Sequence, residues 1–111
     1  NEQNGNQDQL IWALRIMGTI RTHQEMYAEA MDYLKRASYL SGRCSLRPHT
    51  AWNMQAWGDY FHGMRKAGKA QRCYYRAAAL WSGMGNDYQA KKLSLMIPLQ
   101  AQGGFPDMIL L

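Results

Sequence analysis

The sequence predicts an all-α fold built from antiparallel helix pairs. Apolar and small residues recur with helical spacing over most of the 111 residues, and no segment alternates apolar and polar residues as a half-buried strand does. The chain also repeats its pattern with a period of about 40 residues, a length typical of stacked helical units. We therefore expect about five helices arranged as a short solenoid.

The first two helices are predicted from apolar stripes. Asp8 is expected to cap the first helix, and Gly42 is expected to end the second. This leaves residues 1–9 as a polar lead. The stripes consist of Leu10, Ala13, Leu14 and Met17 in the first helix, and of Tyr27, Ala30, Leu34 and Ala37 in the second.

Three further helices follow. Pro48 predicts the start of the third, because proline is tolerated in a first turn. That helix is expected to reach Gly68, where a fourth begins and runs through GKAQRCYYRAAALW at 68–81. Asp87 is predicted to cap a fifth helix, which Pro98 ends. The repeat domain then spans residues 10–97, with units at 10–42 and 50–82, a closing helix at 87–97 and a tail at 98–111.

A shift of the chain by one period places small residues on small residues. Gly18 falls on Gly58, and a glycine at a fixed place lets two helices approach closely. We expect the bulky side chains of Leu34 and Tyr74 to fill the space one turn away. The aligned pairs are Trp12 with Trp52, Gly18 with Gly58, Ala30 with Ala70, Arg36 with Arg76, Ala37 with Ala77 and Leu40 with Leu80.

These units resemble the tetratricopeptide repeat. The segments LRIMG…AMDYLKRA and MQAWG…AQRCYYRA compare with the family pattern W-x2-L-G-x2-Y followed by A-x3-F-x2-A. Here the period is longer than the family's about 34 residues, Met17 and Trp57 precede the glycines, and Arg21 replaces a tyrosine. The matching residues are Gly18, Ala30, Leu34 and Ala37 in the first unit, and Gly58, Phe61, Ala70, Tyr74 and Ala77 in the second.

The resemblance implies a protein–protein interaction module, acting as a scaffold, an adaptor or a chaperone-like holder. A peptide or helix of the partner would lie in a concave face lined by the first helix of each unit. Trp12 and Trp52 are either anchors in that face or partly buried packing residues. The implied binding residues are Trp12, Arg15, Thr19, Thr22 and His23 in the first unit, and Trp52, Gln55, Asp59 and His62 in the second.

No pattern in the sequence predicts catalysis or a cofactor. Asp59 and His62 are spaced i, i+3, but two ligands without a third do not predict a metal site. Cys44 and Cys73 match neither a disulfide framework nor a zinc spacing and suit a reducing compartment, so we expect a cytoplasmic protein. No apolar run reaches the length of about 18 residues that a membrane span needs. We expect a protein that is not an enzyme.

The net charge of +5 supports an alternative, a basic helical domain that binds nucleic acid. Lys69, Arg72 and Arg76 share one helix face. A solvated basic face explains the same pattern, so we keep nucleic acid as the second interpretation. The basic residues concerned are Arg65, Lys66, Lys69, Arg72, Arg76, Lys91 and Lys92.

Acidic residues of the first unit align with basic residues of the second. If the second helices of the two units lie side by side, these charges attract, within one chain or head to tail between chains. Two units are also fewer than the three that such arrays usually need. We therefore expect a fragment of a longer protein, a homo-oligomer, or a chain that needs its partner. The aligned charges are Glu25 with Arg65, Glu29 with Lys69, and Asp32 with Arg72.

Overall fold

The computed structural model describes the backbone of residues 2–44 and 47–95, with side chains over 7–43 and 47–95. This part of the chain contains no strand, so the predicted all-α class is confirmed. Pro98, the tail 98–111, the end of the closing helix and the side chain of Cys44 lie outside the described residues. The five described helices are α1 (Glu2–His23), α2 (Tyr27–Cys44), α3 (Arg47–Gly63), α4 (Ala67–Gly83) and α5 (Asp87–Leu95).

The helices pack as two hairpins and a closing helix. α1 packs against α2, and α3 packs against α4. α3 also contacts both helices of the first hairpin, while α5 packs on α4. Buried apolar side chains cross each boundary: Leu34 with Tyr60 between the hairpins, and Trp81 with Leu93 around the last helices. The first helices of the two units therefore lie next to each other, as a helical repeat requires.

Gly18 and Gly58 lie where side chains of the second helix of each hairpin press against the backbone of the first. A Cβ atom on Gly18 would lie 2.7 Å from Leu34 Cδ2, and one on Gly58 would lie 2.5 Å from Tyr74 Cε1. Both distances are too short for any side chain, so the predicted close approach is confirmed. Leu34 and Tyr74, each one turn along the second helix from Ala30 and Ala70, cover these glycines.

Three short turns connect the helices with one shared geometry. Each reverses at a residue with a positive φ angle, 60° at Glu25, 62° at Arg65 and 82° at Gly85. The amide of the following residue bonds to a carbonyl five positions back, as Met26 does to Arg21 at 2.8 Å. This is the Schellman arrangement that closes a helix C-terminus. Glu25 and Arg65 occupy equivalent positions of the two units, so the repeat is present in the backbone as well.

Three of the predicted helix boundaries are wrong. α1 begins at Glu2, so Asp8 lies inside the helix instead of capping it, and its carboxylate contacts His49 Nε2 of α3. α3 ends at Gly63 instead of Gly68, because the left-handed conformation of Arg65 turns the chain there. α2 continues to Cys44, beyond the predicted end at Gly42.

The expected charge pairing between the second helices is also wrong for two of its acids. Glu29 Oε2 lies 2.9 Å from Arg21 Nε, in the same hairpin. Asp32 Oδ2 lies 3.9 Å from Arg36 Nη1, one turn along α2. Both acids thus pair within the first unit. The ammonium of Lys69 lies over the Phe61 ring at 5.5 Å, within the second unit.

Candidate functional site

The predicted binding residues lie on α1 and α3, which pack against each other. We call the line along which these two helices meet the seam. Arg15 of α1 crosses it, and its guanidinium carbon lies 5.2 Å from the centroid of the Trp52 ring on α3. This distance is typical of a cation–π contact. The structure thus brings together residues of both units that the sequence predicts on one face.

The two equivalent tryptophans have different environments. Trp12 is 55% exposed and lies one turn before Arg15 on α1. Trp52 is half-buried and meets Trp81 of α4 edge to face, with ring centroids 5.1 Å apart. The interpretation as a packing residue therefore fits Trp52, and Trp12 is free to contact a partner.

Arg15 carries a charge that the described residues do not pair with any carboxylate. Partial burial lowers the pKa of its guanidinium, and its Nε atom is buried without a hydrogen-bond acceptor in the described chain. The hydroxyl of the neighbouring Thr19 donates to the Arg15 carbonyl oxygen at 3.0 Å. Thr22 likewise donates to the Gly18 carbonyl, at 2.9 Å. Neither predicted threonine has its hydroxyl hydrogen free for a ligand.

Gln55 links the seam to the last described helix. Gln89 Nε2 of α5 donates to Gln55 Oε1 at 3.2 Å. This hydrogen bond joins α5 to α3, although α5 packs mainly on α4. Sequence reasoning missed Gln89, because a partner 34 positions away follows no local spacing.

The seam opens into a cleft where α1 and α3 end. Its volume is about 670 Å³, within the range of about 300–1,000 Å³ that ligand sites occupy. The rings of His23 and His62 stand exposed at its edge. Four of the residues predicted for binding line this cleft, Asp59 among them. Its lining is Thr22, His23, Glu25, Tyr27, Asp59, His62, Gly63, Arg65 and Ala67.

Tyr74 holds Asp59 in the cleft. The Tyr74 hydroxyl donates to Asp59 Oδ1 at 2.5 Å. Burial raises the pKa of Asp59, while this hydrogen bond and the nearby rings of His23 and His62 act in the opposite direction. Burial and the bond to Asp59 raise the pKa of Tyr74, so its hydroxyl stays a donor. The sequence indicated Tyr74 only as a core residue. Because its ring lies on Gly58, its hydroxyl comes close to Asp59, the next residue along α3.

The cleft contains carboxyl and imidazole groups, which are side chains that can bind metal ions. The described residues contain no group of three or more His, Cys, Asp or Glu side chains placed to hold a metal ion. Asp59 and His62 thus remain a pair on one helix. Their chemistry is that of hydrogen-bond and charge partners.

Of the basic residues of the nucleic-acid alternative, Arg65 lines the cleft, whereas Lys69, Arg72 and Arg76 lie on the exposed face of α4. Arg65 and Lys66 in the turn, with Lys69, Arg72 and Arg76 on α4, are all exposed. α4 contains no acidic residue, so this face is uniformly positive. Among the helices described, none has the length and apolarity to cross a membrane.

Comparison of the chain with known protein families, curated proteins and solved structures finds no match. The likeness to tetratricopeptide repeats therefore rests on the residues quoted above. The function has to be inferred from the geometry of the seam and the cleft.

Proposed function

We propose that the protein is an interaction module that binds a peptide or helix of a partner protein along the seam. The observation that carries the proposal is the contact of Arg15 with Trp52 across two units, with Trp12 exposed one turn away. Arginine and tryptophan are the residues most enriched among interface hot spots. A half-buried guanidinium without a carboxylate is also a group that a partner can satisfy.

The proposal includes a binding rather than a catalytic role, as scaffold, adaptor or chaperone-like holder in the cytoplasm. The strongest candidate nucleophile, Cys73, is buried as a free thiol, and burial raises its pKa. A thiol of this kind is inert, because the thiolate is the reactive form. Asp59 is held by Tyr74 and is better suited to recognition.

A displayed library of random peptides tests this function. Peptides are selected on the wild-type protein, and their Kd values are then compared for the wild type and for the variants Trp12→Ala and Tyr39→Ala. Tyr39 is the matched control, since it is 63% exposed and its ring lies beside Arg43 of its own helix α2. Loss of a central aromatic anchor costs about 2 kcal/mol or more, which is roughly a 30-fold weaker Kd.

We expect Trp12→Ala to lose this affinity and Tyr39→Ala to keep it. Circular dichroism should show the same helical content for both, because neither ring is in the core. Selected peptides that bind Trp12→Ala as tightly as wild type would reject the seam as the site. A library that yields no binder above background would reject the function itself.

The exposed positive face of α4 favours one alternative, nucleic acid. Single-stranded RNA of mixed sequence is the probe, titrated at increasing salt. A steep fall of affinity with salt, lost in Arg72→Gln with Arg76→Gln and unchanged in Trp12→Ala, would support this alternative and contradict the proposal. We expect no such binding at physiological salt.

A further inference from the structure

The cleft is lined mainly by polar and charged side chains. It lies at one end of the seam, where α1 ends at His23 and α3 ends at Gly63. The C-terminal end of a helix carries a partial charge of about −0.5. The first residues of α2 and α4, Tyr27 and Ala67, line the same cavity, and a helix N-terminus carries about +0.5. The partial charges of the four helix ends therefore offset one another, and the side chains decide which charge the cleft prefers.

Two acidic side chains line the cleft and give it a preference for a positive group. Asp59 and Glu25 both line it, and neither forms an ion pair with another described residue. Arg65 is the lining residue of opposite charge. The histidine rings offer nitrogen atoms that accept hydrogen bonds when neutral. A cation entering the cleft thus finds two carboxylates against the one guanidinium of Arg65.

Asp59 is prepared for such a contact. The hydrogen bond from Tyr74 occupies Oδ1, which leaves Oδ2 as the oxygen that can meet a ligand. Because Tyr74 is packed against Gly58, the carboxylate is fixed before a ligand arrives. A fixed, partly buried carboxylate loses little freedom on binding and gains more from a charge partner than an exposed one does.

We propose that the cleft binds a basic side chain, lysine or arginine, of the segment that lies along the seam. This inference rests on the proposed function and names the chemistry of the partner. The segment places its ammonium or guanidinium group against Asp59 Oδ2, between the ends of α1 and α3. The remainder of the segment follows the seam towards Arg15 and Trp12.

The test compares matched peptides on matched proteins. Peptides from the displayed library are sequenced, and each lysine or arginine is replaced by glutamine. We expect selected peptides to share one basic position whose replacement weakens binding to the wild-type protein about tenfold or more. This arm needs no protein variant, so it stands whether or not a variant folds.

The second arm uses Asp59→Asn, which removes the charge and keeps an acceptor for Tyr74. The basic peptide and its glutamine form should bind this variant equally, whereas they should differ on Asp32→Asn as on wild type. Asp32 is a suitable control because it is an exposed acid on α2. Free N-acetyl-lysine amide at millimolar concentration should not compete, since the cleft is only one part of the site.

The outcomes separate the two proposals. Peptides that lose affinity on Trp12→Ala but show no basic position would overturn the cation inference and support binding along the seam. A basic position that matters equally on Asp59→Asn and on wild type would also overturn it. Peptides indifferent to both Trp12 and Asp59 would overturn both proposals.

Discussion

The first helix pair packs Leu34 against Gly18, whereas the second packs Tyr74 against Gly58. The backbone contact is the same in both pairs, at equivalent positions of the repeat. The side chain that covers the glycine is aliphatic in one pair and aromatic with a hydroxyl in the other. The two units therefore share the close approach of the helices and differ in the side chain that covers the glycine.

The residue that follows each glycine also differs between the two helix pairs. Thr19 turns its hydroxyl back to its own helix. Asp59, at the equivalent place, accepts from Tyr74 and faces the cleft. The difference teaches that one scaffold position serves only packing in the first unit and supports a polar site in the second. The two pairs thus provide internal controls for each other.

The largest effect is expected from adding a methyl group at the two close approaches. Gly58→Ala should lower the free energy of unfolding by about 2–3 kcal/mol, and Gly18→Ala by about 1–2 kcal/mol. The rigid ring of Tyr74 cannot move aside, whereas the end of Leu34 can rotate. Urea denaturation measures both values. Gly68→Ala is the control, because nothing lies within 4 Å of its Cβ, and equal losses at all three sites would contradict the comparison.

A smaller effect should follow from Tyr74→Phe. This change keeps the ring on Gly58 and removes the hydrogen bond to Asp59, which we expect to cost about 1–2 kcal/mol in unfolding free energy. Tyr88→Phe controls for the loss of a hydroxyl, since Tyr88 is 78% exposed. If both variants melted like wild type, the Tyr74–Asp59 bond would contribute nothing to stability.

Replacing the left-handed turn residues should have a stabilising effect. Glu25→Gly and Arg65→Gly each relieve a positive φ angle, and we expect a gain of up to about 1 kcal/mol from each. Similar gains at both turns would extend the equivalence of the two pairs to their connections. The reverse change, Gly85→Ala, should destabilise by a similar amount. Thermal melts of the three variants provide the measurement.

The smallest effect concerns pH. Because burial raises the pKa of Asp59 in the folded protein, the folded state binds this proton more tightly than the unfolded state. The contribution of Asp59 to the free energy of unfolding is therefore fully present below the pKa that this residue has in the unfolded chain. It is lost as the pH rises through the higher pKa that Asp59 has in the folded protein. We expect Asp59→Asn to remove this decline, so that its stability relative to wild type rises from about pH 3 to neutral. A constant difference across this window would contradict the assignment.

The sequence predicted the parts of the fold that follow from steric size. Gly18 and Gly58 identified the helix contacts, because only glycine leaves room for a helix to touch another at that distance. The repeat period, which carries Gly18 onto Gly58, then gave the pairing of the helices. These features follow from the small size of glycine and from the spacing of the repeat, both of which can be read from a single sequence.

Other features depend on partners distant in sequence, and these were missed. Arg65 takes a left-handed conformation that usually signals glycine, so the end of α3 was placed too late. Glu29 pairs with Arg21 across a turn rather than with a basic residue of the second unit. In the site, the exposure of Trp12 and the burial of Trp52 differ although their positions are equivalent. Their environments depend on neighbours such as Trp81, which the first unit does not provide.

The hydroxyl of Tyr74 also connects the proposed recognition of a basic side chain to the integrity of the second hairpin. Asp59 belongs to α3 and Tyr74 to α4, so the fixed carboxylate exists only while α4 is docked on α3. A cation that binds this carboxylate stabilises the docked form and not the opened one, in proportion to RT ln(1 + [L]/Kd). Occupancy of the cleft should therefore slow hydrogen exchange along α4, a helix whose outer face the bound segment does not touch.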